Sequence, residues 1–215
     1  DGGPSSLDYY PQPGATGDGW KGGFPWQDEE AEPTTTQTGP VVGGGPGYDA
    51  TVARSEADTV VTTAGGLDDA LSSAGSGDVV FVPGNEQIDL GNRQYDIPDG
   101  VTLASDRGVD GSAGALLYTD DEPGELLSLE GDSRLTGVRV RGPHPGDDWG
   151  GDSSAGGAQT MGAGEIDNCE VWGFSHHGIQ ADSGDGAHFH HNVVRENNKS
   201  GLGYGITVDA GMPVI

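Results

Sequence analysis

The feature that most constrains this chain is a repeat between Glu165 and Gly211. One unit reads Glu165-Ile166-Asp167-Asn168-Cys169-Glu170-Val171-Trp172-Gly173-Phe174, then His176-His177-Gly178-Ile179. The next reads His188-Phe189-His190-His191-Asn192-Val193-Val194-Arg195-Glu196-Asn197, then Gly205-Ile206-Thr207-Val208. Setting Ile166 on Phe189 puts Asn168 on His191, Cys169 on Asn192 and Val171 on Val194, an offset of about 23 residues. A period in this range marks a solenoid. Short apolar alternations broken by Gly and Asn read as strands joined by tight turns. The period is too short for a helix pair or a propeller blade and fits one coil of a parallel β-helix, with about three short strands per coil.

The stretch resembles the right-handed parallel β-helix repeat of the pectate-lyase-like superfamily: an apolar residue, Asn at a bend, an apolar strand, then Gly-Ile. Upstream, Val60-Val61-Thr62-Thr63-Ala64-Gly65-Gly66-Leu67-Asp68-Asp69-Ala70-Leu71, followed by Gly77-Asp78-Val79-Val80-Phe81-Val82-Pro83-Gly84, is similar to the opening of such solenoids. There a short helix caps the open end and leads into the first coil. The resemblance spans roughly residues 55–215 and implies an all-β, right-handed parallel β-helix with a short N-terminal capping helix. It says little about activity, because this fold hosts lyases, hydrolases, epimerases, adhesins and inert scaffolds.

Composition narrows the setting. The 215 residues carry 35 acidic and 9 basic side chains, a formal net charge of −26, and the only lysines are Lys21 and Lys199. Such a balance with low hydrophobic content suggests disorder, but the periodic strands after residue 55 oppose that. Adaptation to high salt is the better reading, since at about 1 M ionic strength the Debye length falls to about 3 Å and acidic self-repulsion is screened. An acidic secreted protein from an ordinary milieu is the alternative. With no basic stripe to meet phosphates, nucleic acid is not an expected partner. A single cysteine, Cys169, excludes an intrachain disulfide and sits at a repeat position, as a small buried residue would. No apolar run approaches the ~20 residues of a membrane span. The chain begins at Asp1 with no visible signal peptide, which a removed leader or a boundary within a longer chain would both explain. Val214-Ile215 reads as the start of another strand, so the solenoid is expected to be incomplete at its C-terminus.

Residues 1–54 read as an extended Gly/Pro-rich arm or linker, with Pro33 to Pro40 and Gly43 to Gly47 its clearest linker segments. Tyr9, Tyr10, Trp20, Phe24 and Trp26 are unusual in a pure linker. Either they are scattered on a mobile tail or they dock on the solenoid and leave water. A capping helix is expected at roughly Gly66 to Ala74, with Asp68 and Asp69 in its first turn to suit the helix dipole. Strands follow at Val79–Val82, Gln87–Leu90, Gln94–Ile97, Val101–Leu103, Leu116–Tyr118 and Leu126–Leu129, then a pair within Leu135–Val140. Pro143 to Gly164 reads as one long Gly- and acid-rich excursion, the kind of loop that carries function or is disordered.

Stacked coils bring equivalent residues about 4.8 Å apart, so files of side chains build a surface. With Leu135, Ile166 and Phe189 facing inward, their neighbours face outward. One outward file is Arg134, Glu165, His188; the parallel file is Thr136, Asp167, His190. Carboxylates beside imidazoles suit general acid/base chemistry or a divalent metal. His176 and His177 lie on a turn of the intermediate coil within reach of the same side. A solvated polar ladder without chemistry is the competing reading. On the next strand the files are Arg139, Glu170, Val193 and Arg141, Trp172, Arg195. An exposed Trp172 between Arg141 and Arg195 would stack on a sugar ring while the arginines hold carboxylates. Ion-pair packing along the ladder is the alternative. Asp147, Asp148 and Asp152 have the chemistry for calcium, though an unliganded acidic loop has the same look. Asn198-Lys199-Ser200 is a glycosylation triplet of a kind that also arises by chance. The resemblance implies lyases with a basic proton-abstracting residue and carboxylate-bound calcium. Here Lys21 lies outside the repeats and Lys199 on a turn, and neither a lyase signature nor the paired aspartates of the hydrolases stands out.

The expected function is a secreted or cell-surface protein that binds or processes polysaccharide on the solenoid's side. As a lyase or glycoside hydrolase it would use His188, His190, Glu165 and Asp167 for catalysis and Trp172, Arg141 and Arg195 for substrate. The alternative is a non-catalytic structural or adhesive surface protein, with metal storage or delivery through the histidines as a third reading. The sequence leaves the oligomeric state open. The charge makes one prediction. Circular dichroism across a salt series should show the fold weakening below about molar salt, where the charge of −26 is unscreened. An unchanged melting temperature in dilute buffer would sink the high-salt reading.

Overall fold

A computed structural model describes residues 48–145, 154–182, 186–197 and 203–209. Three parallel sheets, visited in turn by the chain, form an all-β solenoid. The first sheet contains β1 (Thr59–Val60), β2 (Val79–Phe81), β5 (Thr102–Ala104), β8 (Arg134–Thr136), β11 (Glu165–Asp167) and β14 (His188–His190). The second contains β3 (Gln87–Asp89), β6 (Leu116–Tyr118), β9 (Arg139–Arg141), β12 (Glu170–Trp172) and β15 (Val193–Arg195). The third contains β4 (Tyr95–Ile97), β7 (Glu125–Leu129), β10 (Gly156–Thr160), β13 (His177–Ala181) and β16 (Tyr204–Val208).

The register follows the apolar pattern. Val80, Leu103, Leu135, Ile166 and Phe189 pair in succession along the first sheet and are all buried. Ile88, Leu117, Val140, Val171 and Val194 do the same along the second, with Val194 only partly buried. The third sheet adds the file Tyr95, Leu127, Ala158, Ile179, Ile206. Ile166 therefore stacks under Phe189 and Val171 under Val194, at the offset read from the repeat.

The corners explain why glycine and asparagine recur. Gly137, Asn168 and His191 turn the chain from the first sheet to the second with φ of 69°, 52° and 55°. That left-handed region suits Gly and is tolerated by Asn. At the next residue of the last corner, Asn192 Oδ1 accepts from the Cys169 amide at 2.9 Å and its Nδ2 donates to the Ile166 carbonyl at 2.7 Å. Asn197 treats the Phe174 amide and the Val171 carbonyl in the same way at the following corner, at 3.0 and 3.1 Å. These side chains satisfy backbone groups where the ladder is interrupted.

The cap differs in detail from expectation. Helix α1 (Ala64–Ser73) begins two residues early, because Thr63 is the N-cap and its hydroxyl accepts from the Gly66 amide at 3.1 Å. Asp68 and Asp69 thus lie beyond the first turn rather than in it. Asp68 instead meets Arg93 at 2.5 Å. Leu67, Ala70 and Leu71 are the buried face. The stretch Pro143–Gly164, expected as one excursion, is interrupted: β10 lies inside it and continues the third sheet between β7 and β13.

Residues 48–53 form a strap on the outer face of the first sheet. Val52 packs with Phe81 and Ala104, and Tyr48 reaches Thr136 and Asp167. The C-terminal end of the expected arm is therefore packed against the solenoid. Tyr9, Tyr10, Trp20, Phe24 and Trp26 lie outside the described residues. The core register makes a stability prediction. Val171 is wholly enclosed, so Val171→Ala should cost about 2–3 kcal/mol through lost burial and a residual cavity, read as a lowered denaturation midpoint.

Candidate functional site

The candidate site lies on the outer face of the first sheet, where β11 and β14 pair. Register sets Glu165 beside His188 and Asp167 beside His190. Strand alternation puts His188 and His190 on the same face of β14 with Phe189 beneath them. Their rings stand 4.3 Å apart by centroid, tilted at 44°. His190 Nε2 is 2.7 Å from Glu165 Oε1, and its Nδ1 is 2.7 Å from His191 Nδ1. His188 is exposed, while Glu165 and His190 are partly so.

Asp167 is in a different state from Glu165. It is fully buried. Arg134 grips it with both arms of the guanidinium, at 2.9 and 2.8 Å. Thr136 donates to the same carboxylate at 3.1 Å, and Tyr48 donates its hydroxyl from the strap. Burial, followed by the bond to Asp167, pushes the Tyr48 hydroxyl well above the usual phenol range. Burial works against the Arg134 charge, but the hydrogen-bonded Asp167 outweighs it and holds the guanidinium protonated more firmly than usual. Arg134 also reaches the Ala50 carbonyl at 3.0 Å and Glu165 at 3.5 Å. Asp167 is thus a structural anchor for the strap, not an open acid or base.

The expected sugar platform is not open. Trp172 is only 9% exposed, and the Arg195 guanidinium lies over its ring at 4.7 Å. Arg195 also bonds Glu170 at 2.9 Å and Glu196 at 2.7 Å. Arg141 sits over Tyr118 at 4.7 Å and pairs with Asp120 at 2.8 Å. The three substrate candidates are therefore engaged in ladder packing, the alternative the sequence left open. Asp147, Asp148 and Asp152, as well as Asn198-Lys199-Ser200, lie outside the described residues.

His176 and His177 do not reach this face. His177 begins β13 in the third sheet, where its Nε2 is 2.9 Å from Glu125 and His176 Nδ1 lies 2.8 Å from its Nδ1. Glu125, Gly156 and His177 occupy one file. A Cβ at Gly156 would sit 2.2 Å from the Glu125 carboxylate, so only glycine lets Glu125 cross a coil to this enclosed imidazole. Cys169 is a buried structural thiol: burial pushes it up to about 12, and it donates to the Asp167 carbonyl at 3.1 Å.

No family model, curated protein or solved structure matches this chain. The open acid/base pair Glu165–His190, flanked by His188, is what the fold itself brings together. The strap contact was invisible in the sequence, because 119 residues separate Tyr48 from Asp167 and no repeat links them.

Replacing Arg134 tests the anchor. Arg134→Ala leaves the Asp167 charge enclosed with only hydroxyl partners, so stability should fall by about 3 kcal/mol or more. Adding Asp167→Asn should recover part of that loss in a double-mutant cycle of denaturation midpoints.

Proposed function

We propose that this chain is a secreted or cell-surface solenoid of the pectate-lyase-like kind, adapted to high salt, that serves as a structural or adhesive element without cleaving polymer. One observation carries the reading: the residues a sugar-cleaving face would need are bonded to one another. Asp167 is enclosed by Arg134, Thr136 and Tyr48, and Trp172 lies under Arg195. A stacking platform needs an open ring face, and an acid/base carboxylate needs access to the scissile bond. The parallel ladders supply what a scaffold needs instead, a rigid face such as the third sheet's, whose polar file runs Asp96, Ser128, Gln159, Gln180, Thr207 coil by coil. Its partner on this reading is cell-surface glycan met by adhesion rather than turnover.

Polysaccharide processing is the second reading, favoured by the 2.7 Å contact of His190 with Glu165 on an accessible face. Incubation with acidic and neutral polysaccharides in molar salt separates the two. The scaffold reading expects no new reducing ends or unsaturated products, and retention of the protein on insoluble cell-wall glycan. Cleavage by the wild type that His190→Ala abolishes, with circular dichroism unchanged, would establish processing instead.

A further inference from the structure

We propose that Glu165, His188 and His190 form a binding site for one divalent transition-metal ion, zinc above all, that staples β11 to β14. The inference goes beyond the scaffold reading and does not depend on it. Each of the three residues offers a donor atom, and all of these atoms lie within 4.8 Å of one another. The placement comes from backbone rather than chance rotamers. Glu165 and His188 are register partners on adjacent strands, and His190 lies two residues along the same strand as His188, on the same face.

The donor set selects the ion. Two imidazole nitrogens and one carboxylate suit zinc and its first-row neighbours, whereas calcium and magnesium take oxygen ligands. Metal bonds of about 2.0–2.1 Å place two donors roughly 3.3 Å apart on a tetrahedral ion. The contact of 2.7 Å between His190 Nε2 and Glu165 Oε1 is now bridged by a proton. Opening it by a fraction of an ångström lets a metal replace that proton, a movement within the reach of a flexible glutamate. A three-ligand site leaves a fourth position for water.

The surroundings support the same assignment. His190 Nδ1 faces His191 Nδ1 at 2.7 Å, and the His191 ring lies 5.1 Å from that of Tyr48. A ligating histidine is usually held in this way, by a hydrogen bond from its other nitrogen. The nearby cation, Arg134, lies 3.5 Å from Glu165, but its charge is answered by Asp167 at 2.8 Å. The group therefore retains the negative charge of Glu165, in a chain whose net charge is −26. The ligands come from two successive coils, so a bound ion would resist their separation, as structural zinc does elsewhere.

Tag-free full-length protein, stripped with chelator and held in high salt, is titrated with Zn²⁺ alone by calorimetry. The wild type should bind with a dissociation constant of about 10 μM or tighter, and zinc should raise its melting temperature. His188→Ala and His190→Ala should each weaken binding about tenfold or more and abolish that rise. His176→Ala should bind as the wild type does. Co²⁺ in place of zinc should give the visible bands of a low-coordinate nitrogen/oxygen site, lost in His188→Ala, while excess Ca²⁺ should displace nothing. His188 is exposed, so its removal should spare the fold, and circular dichroism checks that it does. Absence of zinc binding up to about 1 mM, displacement by calcium, or His188→Ala binding as tightly as wild type would each overturn the proposal.

Discussion

A parallel solenoid exists only if its backbone can turn sharply at each corner without orphaning polar groups. The ladder bonds satisfy the strands, but a corner interrupts them, and a buried unpaired amide or carbonyl costs about 1–3 kcal/mol. In the last described coil this chain meets the demand with left-handed His191 and Glu196, each followed by an asparagine. Asn192 and Asn197 each take one amide and one carbonyl from the preceding coil. They act as side-chain continuations of the ladder. The apolar files can then stack in register, because each corner delivers the next strand at a fixed height. Where the left-handed residue is His191 rather than Gly or Asn, the corner also delivers an imidazole to the outer face. Corner geometry and the histidine cluster are in this sense one feature.

The second constraint is that an outer face need not be solvent. The file Phe81, Ala104, Thr136, Asp167, His190 begins apolar and ends polar. The strap matches that gradient, with Val52 over Phe81 and Ala104 and Tyr48 over Thr136 and Asp167. Burying a carboxylate is costly unless it is paired and hydrogen-bonded. Asp167 is both, through Arg134, Thr136 and Tyr48. Tyr48 meets the face at Asp167 and edges against His191, which leaves His188 exposed. The strap thus divides the outer face of the first sheet into a sealed part and an accessible part.

Much of this was legible in the sequence, and the misses share a cause. The offset between Ile166 and Phe189, the inward files and the terminal helix all follow from apolar periodicity and turn residues, which are local signals. The sequence of the strand Gly156–Thr160 resembles a loop because Gly-Gly-Ala-Gln-Thr has almost no β-branched residue. It is a strand because β7 and β13 hold it on both sides. The helix starts at Ala64 rather than Gly66 because the Thr63 hydroxyl caps it, a stronger local signal than acidic residues in a first turn. The sequence points Trp172 into the open because alternation gives the direction of a side chain but not what lies across it. Arg195, its register partner one coil on, covers the ring. Tyr48 over Asp167 had no local signature at all. Sequence patterns therefore placed Glu165, Asp167, His188 and His190 on one outer face but did not show which of them remain accessible.

Two clusters in this fold are built alike, and their difference shows what cover does to chemistry. Each has a His-His dipeptide with the two Nδ1 atoms 2.7–2.8 Å apart and one Nε2 on a glutamate. In the third sheet His177 is enclosed and Glu125 lies across Gly156, where a Cβ would collide with its carboxylate. The His177 side chain is only 1% exposed, so that cluster suits a fixed hydrogen-bond tie between coils. In the first sheet the same arrangement has an open side and a third donor, His188, standing 4.3 Å from the His190 ring by centroid. An ion can approach there, shed water stepwise and pull the glutamate outward without disturbing the core. The same local chemistry is therefore a structural tie where the imidazole is enclosed and open to an ion where it is not.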